Sequence, residues 1–551
     1  MYTWKPYADK IIFNANIYTV DLTIPEIQSG KTDFKIFKNG FIAIKENRII
    51  ATDNGDGKEF AGRDTELIDV KGATVIPGLM DSHMHALFAG IALRAVAMEK
   101  CTCLDDMLTG IKERAEKETN PDSWIIGFAW NELAWNDGLK PDAKLLDKVS
   151  GTHPVATKRI CGHVLVANTK AMELAGITKD TKDPVGGQIG RNEDGTPNGW
   201  FFEQAAFSLI DSVCPPETEE TLVTAIEKIG SHMNSKGITS VIDCNLPYEH
   251  TRAYLQAFKQ GKLKYRSNLT FYLDKAEGPV DYHLNRIDQM MAVTGFGNDM
   301  IKFNGIKILL DGVPAMGTAF MRENYKHMPE TRGFTTITQE ELTSICKKAA
   351  QYKWQMAIHA IGDAAIDNVL NSYKEASVQI DTSENRNYII HAVFPHQDQL
   401  EAFKEMNVPV TVQPTIMGVM GEEACLTEEL ADNNQPAGWY FKNGIICGGS
   451  SDFPVVDCNP FLGMSKAITR VCLDGKVHGK EHCVTPSQAL IMWTMASAYI
   501  SHDEEKLGSI TPGKIADLVV IDTPLLESTA EQIENTKVLK TFLDGKIVYQ
   551  R

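Results

Sequence analysis

The 551-residue sequence has no long hydrophobic run, no basic N-terminal region and no cluster of Lys or Arg. Without a run of about 18 apolar residues, no membrane-spanning helix is expected. The first 20 residues lack a basic segment followed by an apolar core, so no secretory signal is predicted. The formal net charge is −17, from 55 Lys and Arg against 72 Asp and Glu, which disfavours nucleic acid and anionic membranes as partners.

The cysteine residues also form no recognisable motif. The 11 Cys residues are scattered, only Cys101 and Cys103 lie close together, and no C-x-x-C motif occurs. In a chain without a secretory signal, this pattern predicts reduced thiols and a cytoplasmic protein. The length is too great for a single hydrophobic core, so two or more compact units are expected.

The two ends of the chain show the alternation of apolar and polar residues that is typical of β-strands. Within residues 1–74, an Asn-Gly pair at residues 39–40 separates two alternating runs, which indicates a hairpin turn. Residues 508–551 have the same pattern, with an Asp-Gly turn at residues 544–545. Because the two ends resemble each other, we predict that they pair in space as one small β-sandwich domain.

The middle of the chain, residues 75–507, alternates short apolar runs with helical patterns. Eight runs are strand candidates, from VIPGLMDSHMH at residue 75 to GIICGGSSD at residue 444. Strands that alternate with helices indicate parallel βαβ units, and eight of them predict an α/β fold of the (β/α)8, or TIM-barrel, type. Residues of about 90–235 interrupt the pattern after the first strand. We interpret them as a large insertion that forms a lid or pocket wall.

Histidines and one aspartate mark the C-terminal edges of four of these runs. His83 and His85 point the same way, because side chains at i and i+2 share one face of a strand. His359, His391 and Asp452 end three later runs. On a barrel these strand ends meet at one mouth, where buried polar groups without partners would together cost several kcal/mol. A divalent metal ion offsets that cost, so the pattern predicts a metal site.

The motifs around these residues resemble those of the metal-dependent amidohydrolase superfamily. Within it, they resemble the amidohydrolase 3 group, whose members include YtcJ-like proteins and N-substituted formamide deformylase. The matching segments cover nearly the whole chain and are GLMDSHMH, GITSVID, IKILLDG, IHAIGDAAIDNVL, IIHA, SSDFPV, NPFLGMSKAITR and LGSITPGKIADLVVID. The chain has DGVPAMG where relatives usually carry a serine-containing DGSLGS. The resemblance therefore implies a type of chemistry and leaves the substrate open.

The resemblance implies a role for each residue of the site. The implied metal is a divalent ion, most often Zn and present as one or two ions, and its ligands are His83, His85, Lys307, His359, His391 and Asp452. Lys307 would be carboxylated, because a carbamate can bridge two metal ions whereas an ammonium is repelled by them. Asp452 would also act as general acid and base, and His163 would stabilise the oxyanion. The implied substrate contacts are His163, Glu203 and Trp200.

Two further residues have predicted supporting roles. Asp363 either orients His359 or caps the helix that follows it. Arg470 pairs either with a substrate or with a carboxylate of the protein, and the carboxylate is favoured.

The resemblance implies hydrolysis of a carbon–nitrogen bond other than a peptide bond, in a small N-acyl, N-formyl or cyclic amide substrate, by water that the metal activates. A heterocyclic amine deaminase on the same scaffold is a second hypothesis, and a catalytically inactive binding protein is a third. Lys307 favours the hydrolase, because deaminases of this superfamily commonly use one metal and lack that lysine. The complete ligand set disfavours the inactive protein. A homodimer is implied by the resemblance alone.

Overall fold

The computed structural model describes residues 7–93, 95–98, 100–132, 135–159, 164–184, 187–273, 277–314, 317–326, 328–378, 380–419 and 426–551, without the side chains of residues 203 and 204. The chain divides into two compact units. One unit comprises Met1–Leu87 and Ile226–Arg551, and the other is Phe88–Ala225.

Strands and helices follow one another along the described residues. The strands are β1 (Ala8–Tyr18), β2 (Ile36–Lys45), β3 (Arg48–Asn54), β4 (Ala61–Asp69), β5 (Thr74–Pro77), β6 (Leu79–Met84), β7 (Val96–Ala97), β8 (Ile125–Trp130), β9 (Val155–Arg159), β10 (Val164–Ala167), β11 (Gln188–Arg191), β12 (Pro197–Phe202), β13 (Ile238–Leu246), β14 (Arg266–Tyr272), β15 (Ile301–Leu309), β16 (Gln355–Ala360), β17 (Tyr388–His391), β18 (Val410–Val412), β19 (Cys447–Gly449), β20 (Leu518–Ile521), β21 (Val538–Leu543) and β22 (Lys546–Gln550). The helices are α1 (Ile24–Gln28), α2 (Ala86–Ala92), α3 (Leu104–Lys117), α4 (Ala143–Asp147), α5 (Thr169–Leu174), α6 (Glu203–Asp211), α7 (Glu219–Asn234), α8 (Thr251–Lys259), α9 (Val280–Gln289), α10 (Gln339–Gln351), α11 (Asp363–Ser377), α12 (Leu400–Glu405), α13 (Pro414–Val419), α14 (Glu428–Asp432), α15 (Ala437–Lys442), α16 (Pro460–Thr469), α17 (Pro486–Ile491), α18 (Ser497–Ile500) and α19 (Ala530–Glu534). Within these ranges, every helix is too short or too polar to cross a bilayer.

Strands from both ends of the chain form one eight-stranded sheet in the order β22-β21-β20-β5-β1-β2-β3, with β4 paired to β1. The junction is β5 against β20, which run antiparallel with Val75 opposite Val520. Side chains alternate across this junction. Ile76 and Val519 enter the core that surrounds the barrel, while Val75 and Val520 enter a core of the sheet itself. Strands from the two ends therefore pair within a single branched sheet. That this sheet forms a β-sandwich domain with the predicted bounds stays a prediction.

The second eight-stranded sheet is the predicted parallel barrel, in the order β6-β13-β14-β15-β16-β17-β18-β19. Each of the eight predicted runs supplies one strand of this sheet. The first run differs from the prediction, because it splits at Gly78 into β5, which joins the terminal sheet, and β6, which begins the barrel. Glycine is needed at this point, since a Cβ atom at residue 78 would lie 2.3 Å from the hydroxyl of Thr239.

Hydrogen bonds bring the first and last barrel strands together. The hydroxyl of Ser82 donates to the carbonyl of Gly449 at 3.0 Å. Beyond the strand ends, the Asp452 N–H donates to the His83 carbonyl at 2.9 Å, and the His85 N–H donates to the Phe453 carbonyl at 2.9 Å. These contacts place the end of β6 beside the segment that follows β19.

The helices pack on the outside of the barrel through apolar side chains. Ile308 of β15 lies in one core with Leu342 and Ile345 of α10. The α10 helix begins with a capping box, in which Thr338 and Glu341 satisfy each other's backbone N–H groups. This packing fixes the strands whose ends carry the predicted metal ligands.

The unit Phe88–Ala225 has a six-stranded sheet of its own, in the order β11-β12-β10-β9-β8-β7. The pairs β7–β8 and β8–β9 are parallel, and the remaining pairs are antiparallel. Trp130 and Phe201 are fully buried within this unit. It occupies most of the stretch that the sequence predicts as an insertion.

Candidate metal centre

His83, His85 and Asp452 meet where the first and last barrel strands end. His83 lies in β6 and is fully buried, His85 directly follows β6, and Asp452 lies three residues beyond β19. Nε2 of His83 is 3.1 Å from Oδ1 of Asp452, and Nε2 of His85 is 3.0 Å from the same oxygen. Both imidazoles therefore face one carboxylate oxygen.

His359 and His391 complete this cluster. His359 lies near the end of β16, and His391 is the last residue of β17. The ring centroids of His359 and His391 are 4.5 Å apart. His391 and His83 are separated by 5.3 Å, and His83 and His85 by 5.3 Å. The four histidines that the sequence singles out thus form one continuous group at the C-terminal ends of the strands.

Two members of the cluster have left-handed backbone conformations. The φ angle is +73° at His391 and +61° at Asp452. Residues other than glycine rarely adopt this region, and each such position costs about 1–3 kcal/mol. Regular alternation would place His391 on the same face as Ile389, whose side chain packs in the core outside the barrel. The left-handed conformation turns His391 toward the cluster instead.

Two of the histidines donate a proton from Nδ1 to a fixed acceptor. Nδ1 of His85 is 3.0 Å from the carbonyl oxygen of Cys244, which can only accept. Nδ1 of His359 is 3.1 Å from Oδ1 of Asp311, a carboxylate oxygen that also accepts the backbone N–H of Ile361. These bonds place the proton of each imidazole on Nδ1. Nε2 of each ring is therefore the nitrogen that can bind a cation.

The tautomer of His391 is determined by a longer chain of hydrogen bonds. Its Nδ1 is 2.6 Å from Oε1 of Gln413. Nε2 of Gln413 donates to the hydroxyl of Ser450 at 2.9 Å, and Ser450 donates to the carbonyl of Val412 at 2.9 Å. Because the carbonyl can only accept, the direction of the whole chain is fixed. His391 must carry its proton on Nδ1, and its Nε2 is available to a cation.

The central atoms of the cluster have the character of metal ligands. Among the described residues, both ring nitrogens of His83 and Oδ1 of Asp452 are buried without a hydrogen-bond partner. One ligand atom each from His83, His391 and Asp452 lies within 4.8 Å of the others. A cation among them would satisfy these lone pairs. Imidazole and carboxylate ligands suit zinc and other divalent ions of the first transition row.

The electrostatics of the cluster keep its members in the forms that bind a cation. Burial, with the charge of Lys307, lowers the pKa of His83 to about 3. Burial and the neighbouring His359 hold the pKa of His391 well below its ordinary value. Burial alone would raise the pKa of Asp452, but the facing imidazoles outweigh it and hold that pKa well below its ordinary value. At neutral pH, His83 and His391 are therefore neutral and Asp452 is ionised.

Lys307 lies in β15, opposite Ala357 of β16, and its side chain is buried. Burial lowers the pKa of its amine, because the charged ammonium is poorly solvated inside the barrel. The neutral amine is the form that reacts with carbon dioxide.

The sequence and the fold both have relatives among known proteins. Residues 66–549 match the family model described as the amidohydrolase family. The chain belongs to the amidohydrolase family. It is 28% identical over 509 residues to YtcJ of Bacillus subtilis (strain 168), a match that covers 90% of this chain and 92% of that protein. It is 26% identical over 559 residues to the N-substituted formamide deformylase of Arthrobacter pascens, covering 98% of each.

A solved structure of an uncharacterized metal-dependent hydrolase from Pyrococcus horikoshii OT3 has the same fold as this amidohydrolase-family chain. The two superpose with a TM-score of 0.75 at 24% identity, over 95% of this chain and 99% of that one. The shared fold is the barrel with its additional sheet.

Sequence reasoning missed two residues that hold the cluster. The sequence predicts that Asp363 either orients His359 or caps the helix that follows it. The contact with His359 is made by Asp311, and the N-cap of α11 is Gly362. Asp363 instead accepts the backbone N–H of Arg322 at 2.7 Å and faces His396 at 3.0 Å. Asp311 had a signal of its own, since it is a carboxylate that follows a strand in IKILLDG. For Gln413, the partner of His391, the sequence contains no signal other than its position directly after the seventh barrel strand.

The other predicted residues have different outcomes. Arg470 donates to backbone carbonyls, and among the described residues it has no ion pair with the predicted carboxylate. His163 and the side chain of Glu203 lie outside what the structure describes. Trp200 donates from its indole nitrogen to the carbonyl of Pro141 at 2.7 Å and packs edge-on against Trp130 at 5.6 Å. Substrate contacts by these last three residues stay predictions.

Proposed function

We propose that this chain is a metal-dependent hydrolase that cleaves a carbon–nitrogen bond in a small N-acyl, N-formyl or related amide-like molecule. The observation that carries the proposal is the cluster of four histidines around Asp452, in which the central buried atoms of His83 and Asp452 lack a protein partner among the described residues. The name of one relative, N-substituted formamide deformylase, supports the substrate class.

The proposed ligands hold one or two divalent ions, with zinc preferred for a site rich in imidazole. They are His83, His85, Lys307, His359, His391 and Asp452. When bound, such an ion lowers the pKa of a water molecule and polarises a carbonyl oxygen. Lys307 would join the set as a carbamate. Its neutral amine forms an N–C bond with carbon dioxide and releases one proton, so a neutral side chain becomes a negative one with two ligand oxygens.

Asp452 carries the proton in the proposed reaction. Its carboxylate accepts a proton from the attacking water as a general base and then delivers it to the departing nitrogen as a general acid. Nε2 of His83 and Nε2 of His85 face this carboxylate at 3.1 and 3.0 Å. The ionised form that a base requires is the form that these neighbours favour.

A metal count on the purified protein tests the proposed ligand set. We expect about two ions in each wild-type chain and at most one in a Lys307→Ala variant, because the carbamate is the bridging ligand of such two-metal sites. Lys302→Ala is a matched control, since Lys302 is a lysine of the same strand whose side chain is 13% exposed and pairs with Asp503. The control should keep the wild-type metal content.

An activity screen tests the proposed substrate class. N-formyl and N-acyl amines should release their amine and carboxylic acid, the rate should vanish on chelation, and added zinc should restore it. Release of ammonia from a heterocyclic amine would instead favour the deaminase. A wild-type protein that binds no metal would contradict the proposed function altogether.

A further inference from the structure

Arg470 is a buried arginine, and its hydrogen bonds to described residues all go to backbone carbonyls. It follows α16 with φ of +51° and is 1% exposed. Its Nε donates to the carbonyl of His478 at 2.6 Å, and Nη1 donates to that of Gln435 at 3.1 Å. Its Nη2 donates to the carbonyls of Asp432 at 3.0 Å and Asn434 at 2.8 Å. Burying a guanidinium without a carboxylate partner costs desolvation free energy. The position of Arg470 therefore needs a structural or functional explanation.

Three of these carbonyls belong to the turn at residues 432–435, which joins α14 to α15. The turn is tightly packed. Gln435 has φ of +47°, and its N–H donates to the Val393 carbonyl at 2.9 Å. On the other side, the Gly479 N–H donates to Oδ1 of Asp432 at 2.8 Å. A Cβ atom at residue 479 would lie 1.9 Å from the Asp432 carbonyl, so the segment after α16 fits closely against the turn.

The side chain of Gln435 leads from this turn to the metal cluster. Its Oε1 accepts the backbone N–H of Gln413, the first residue beyond β18. The side chain of Gln413 accepts the Nδ1 proton of His391 at 2.6 Å. Gln413, Gln435 and Arg470 are each at most 4% exposed, so water does not replace these hydrogen bonds.

We propose that Arg470 is a positioning residue for His391, acting through Gln435 and Gln413. By holding the turn at residues 432–435, Arg470 holds the Gln435 amide, which anchors the backbone at Gln413 and thereby aims Nε2 of His391 into the cluster. The inference rests on the proposed function, because the aim of His391 matters to a bound cation.

Cobalt(II) is the probe that tests this path. Its visible absorption reports the coordination geometry, and competition with a chelator gives its dissociation constant. Loss of a group that holds a metal-binding histidine typically weakens metal binding about 10- to 100-fold. We expect a loss in that range for Gln413→Leu, and a loss of about tenfold for Gln435→Leu and Arg470→Met, each with an altered cobalt spectrum.

Arg266→Met is the matched control, because Arg266 is 2% exposed and begins β14 at the opposite end of the barrel strands. It should lose stability while its cobalt spectrum and affinity stay those of the wild type. The double variant Gln413→Leu with Arg470→Met should bind cobalt no more weakly than Gln413→Leu alone, since both residues act on one path.

The outcomes separate this inference from the proposed function. Wild-type affinity and spectrum in Gln435→Leu and Arg470→Met would overturn the path while leaving the metal centre in place. Additive losses in the double variant would overturn it as well. If Arg470→Met does not fold, Gln435→Leu takes its place. The cobalt affinity and spectrum of Gln435→Leu, and the additivity of its loss with that of Gln413→Leu, then test the path. A wild-type chain that binds no cobalt would overturn the proposed function and this inference together.

Discussion

At the scale of single residues, three different acceptors hold three of the four histidines of the cluster around Asp452. They are a backbone carbonyl at Cys244, a carboxylate at Asp311 and a side-chain amide at Gln413. A carboxylate draws the Nδ1 proton more strongly than a neutral oxygen does, so His359 should be the strongest electron donor of the three. All three residues are histidines, so any difference in their donor strength comes from their hydrogen-bond partners.

Replacing Asp452 tests its proposed role in proton transfer. Asp452→Asn keeps the shape of the side chain but removes the base, so hydrolysis should slow by about 10²- to 10⁴-fold. Steady-state rates at matched metal content measure the effect. Asp457→Asn is the control, because Asp457 is an exposed aspartate five residues further on. Activity within a few-fold of the wild type in Asp452→Asn would remove Asp452 from the reaction.

His502 provides a test of pH-dependent stability away from the metal cluster. Burial, with the charges of Arg386 and Lys302, lowers its pKa from 6.5 to about 3. As pH falls from 6.5 toward 3, the unfolded chain gains a proton at His502 that the folded chain does not, so stability falls. Its φ of +58° suits asparagine.

His502→Asn removes this titration, so the variant should lose less free energy of unfolding than the wild type as the pH falls from 6.5 toward 3. Denaturant unfolding of chelator-treated protein measures both slopes. Equal losses in the two proteins would show that His502 titrates normally in the folded chain.

Packing between the elements explains where the strand prediction holds and where it fails. Apolar runs bounded by turn residues predict all eight barrel strands, because a parallel strand buried on both faces must be apolar along its length. The first run is the exception, since the split at Gly78 depends on the distant Thr239 hydroxyl and on a bond from the Gly78 N–H to the Asp517 carbonyl at 2.8 Å. No local pattern records either contact.

A buried ion pair joins the barrel to the terminal sheet. Nε and Nη2 of Arg266, in β14, bind the two carboxylate oxygens of Asp517 at 2.7 and 2.8 Å. Asp517→Asn removes the paired carboxylate oxygens and leaves Asp544, 3.3 Å from Nη2, as the remaining charge partner of the guanidinium. The variant should lose up to about 5 kcal/mol of unfolding free energy. Urea unfolding measures the loss.

The double variant Arg266→Met with Asp517→Leu is the control for this loss, because it removes both charges. It should recover most of the stability, since a well-packed apolar pair can replace a buried ion pair. A loss below about 1 kcal/mol in Asp517→Asn would show that the pair is solvated like a surface salt bridge.

Metal binding and folding should be coupled across the barrel as a whole. The proposed ligands lie on β6, β15, β16 and β17 or directly after β6 and β19, and these segments come together only when the barrel folds. The unfolded chain presents no such site. A cation that binds only the folded chain stabilises it by about 2.7 kcal/mol at a concentration 100 times its dissociation constant.

Thermal unfolding with zinc and with a chelator measures this coupling. The wild type should melt at a higher temperature with zinc, and His83→Ala combined with His391→Ala should abolish the difference. His153→Ala is the control, because His153 is a buried histidine of the other compact unit. A zinc effect that survives loss of His83 and His391 would place the ion elsewhere.

The sequence by itself determined the barrel, the pairing of its two ends and the five strand-end residues that form the cluster. These features follow from local periodicity and from the rule that parallel strands end at one mouth. Only the tertiary structure decided which residues orient the histidines and how the backbone turns at His391 and Asp452. Asp311 lies 48 residues from His359, and Gln413 lies 22 residues from His391. Contacts at such separations arise from packing, which leaves no periodic signal along the chain.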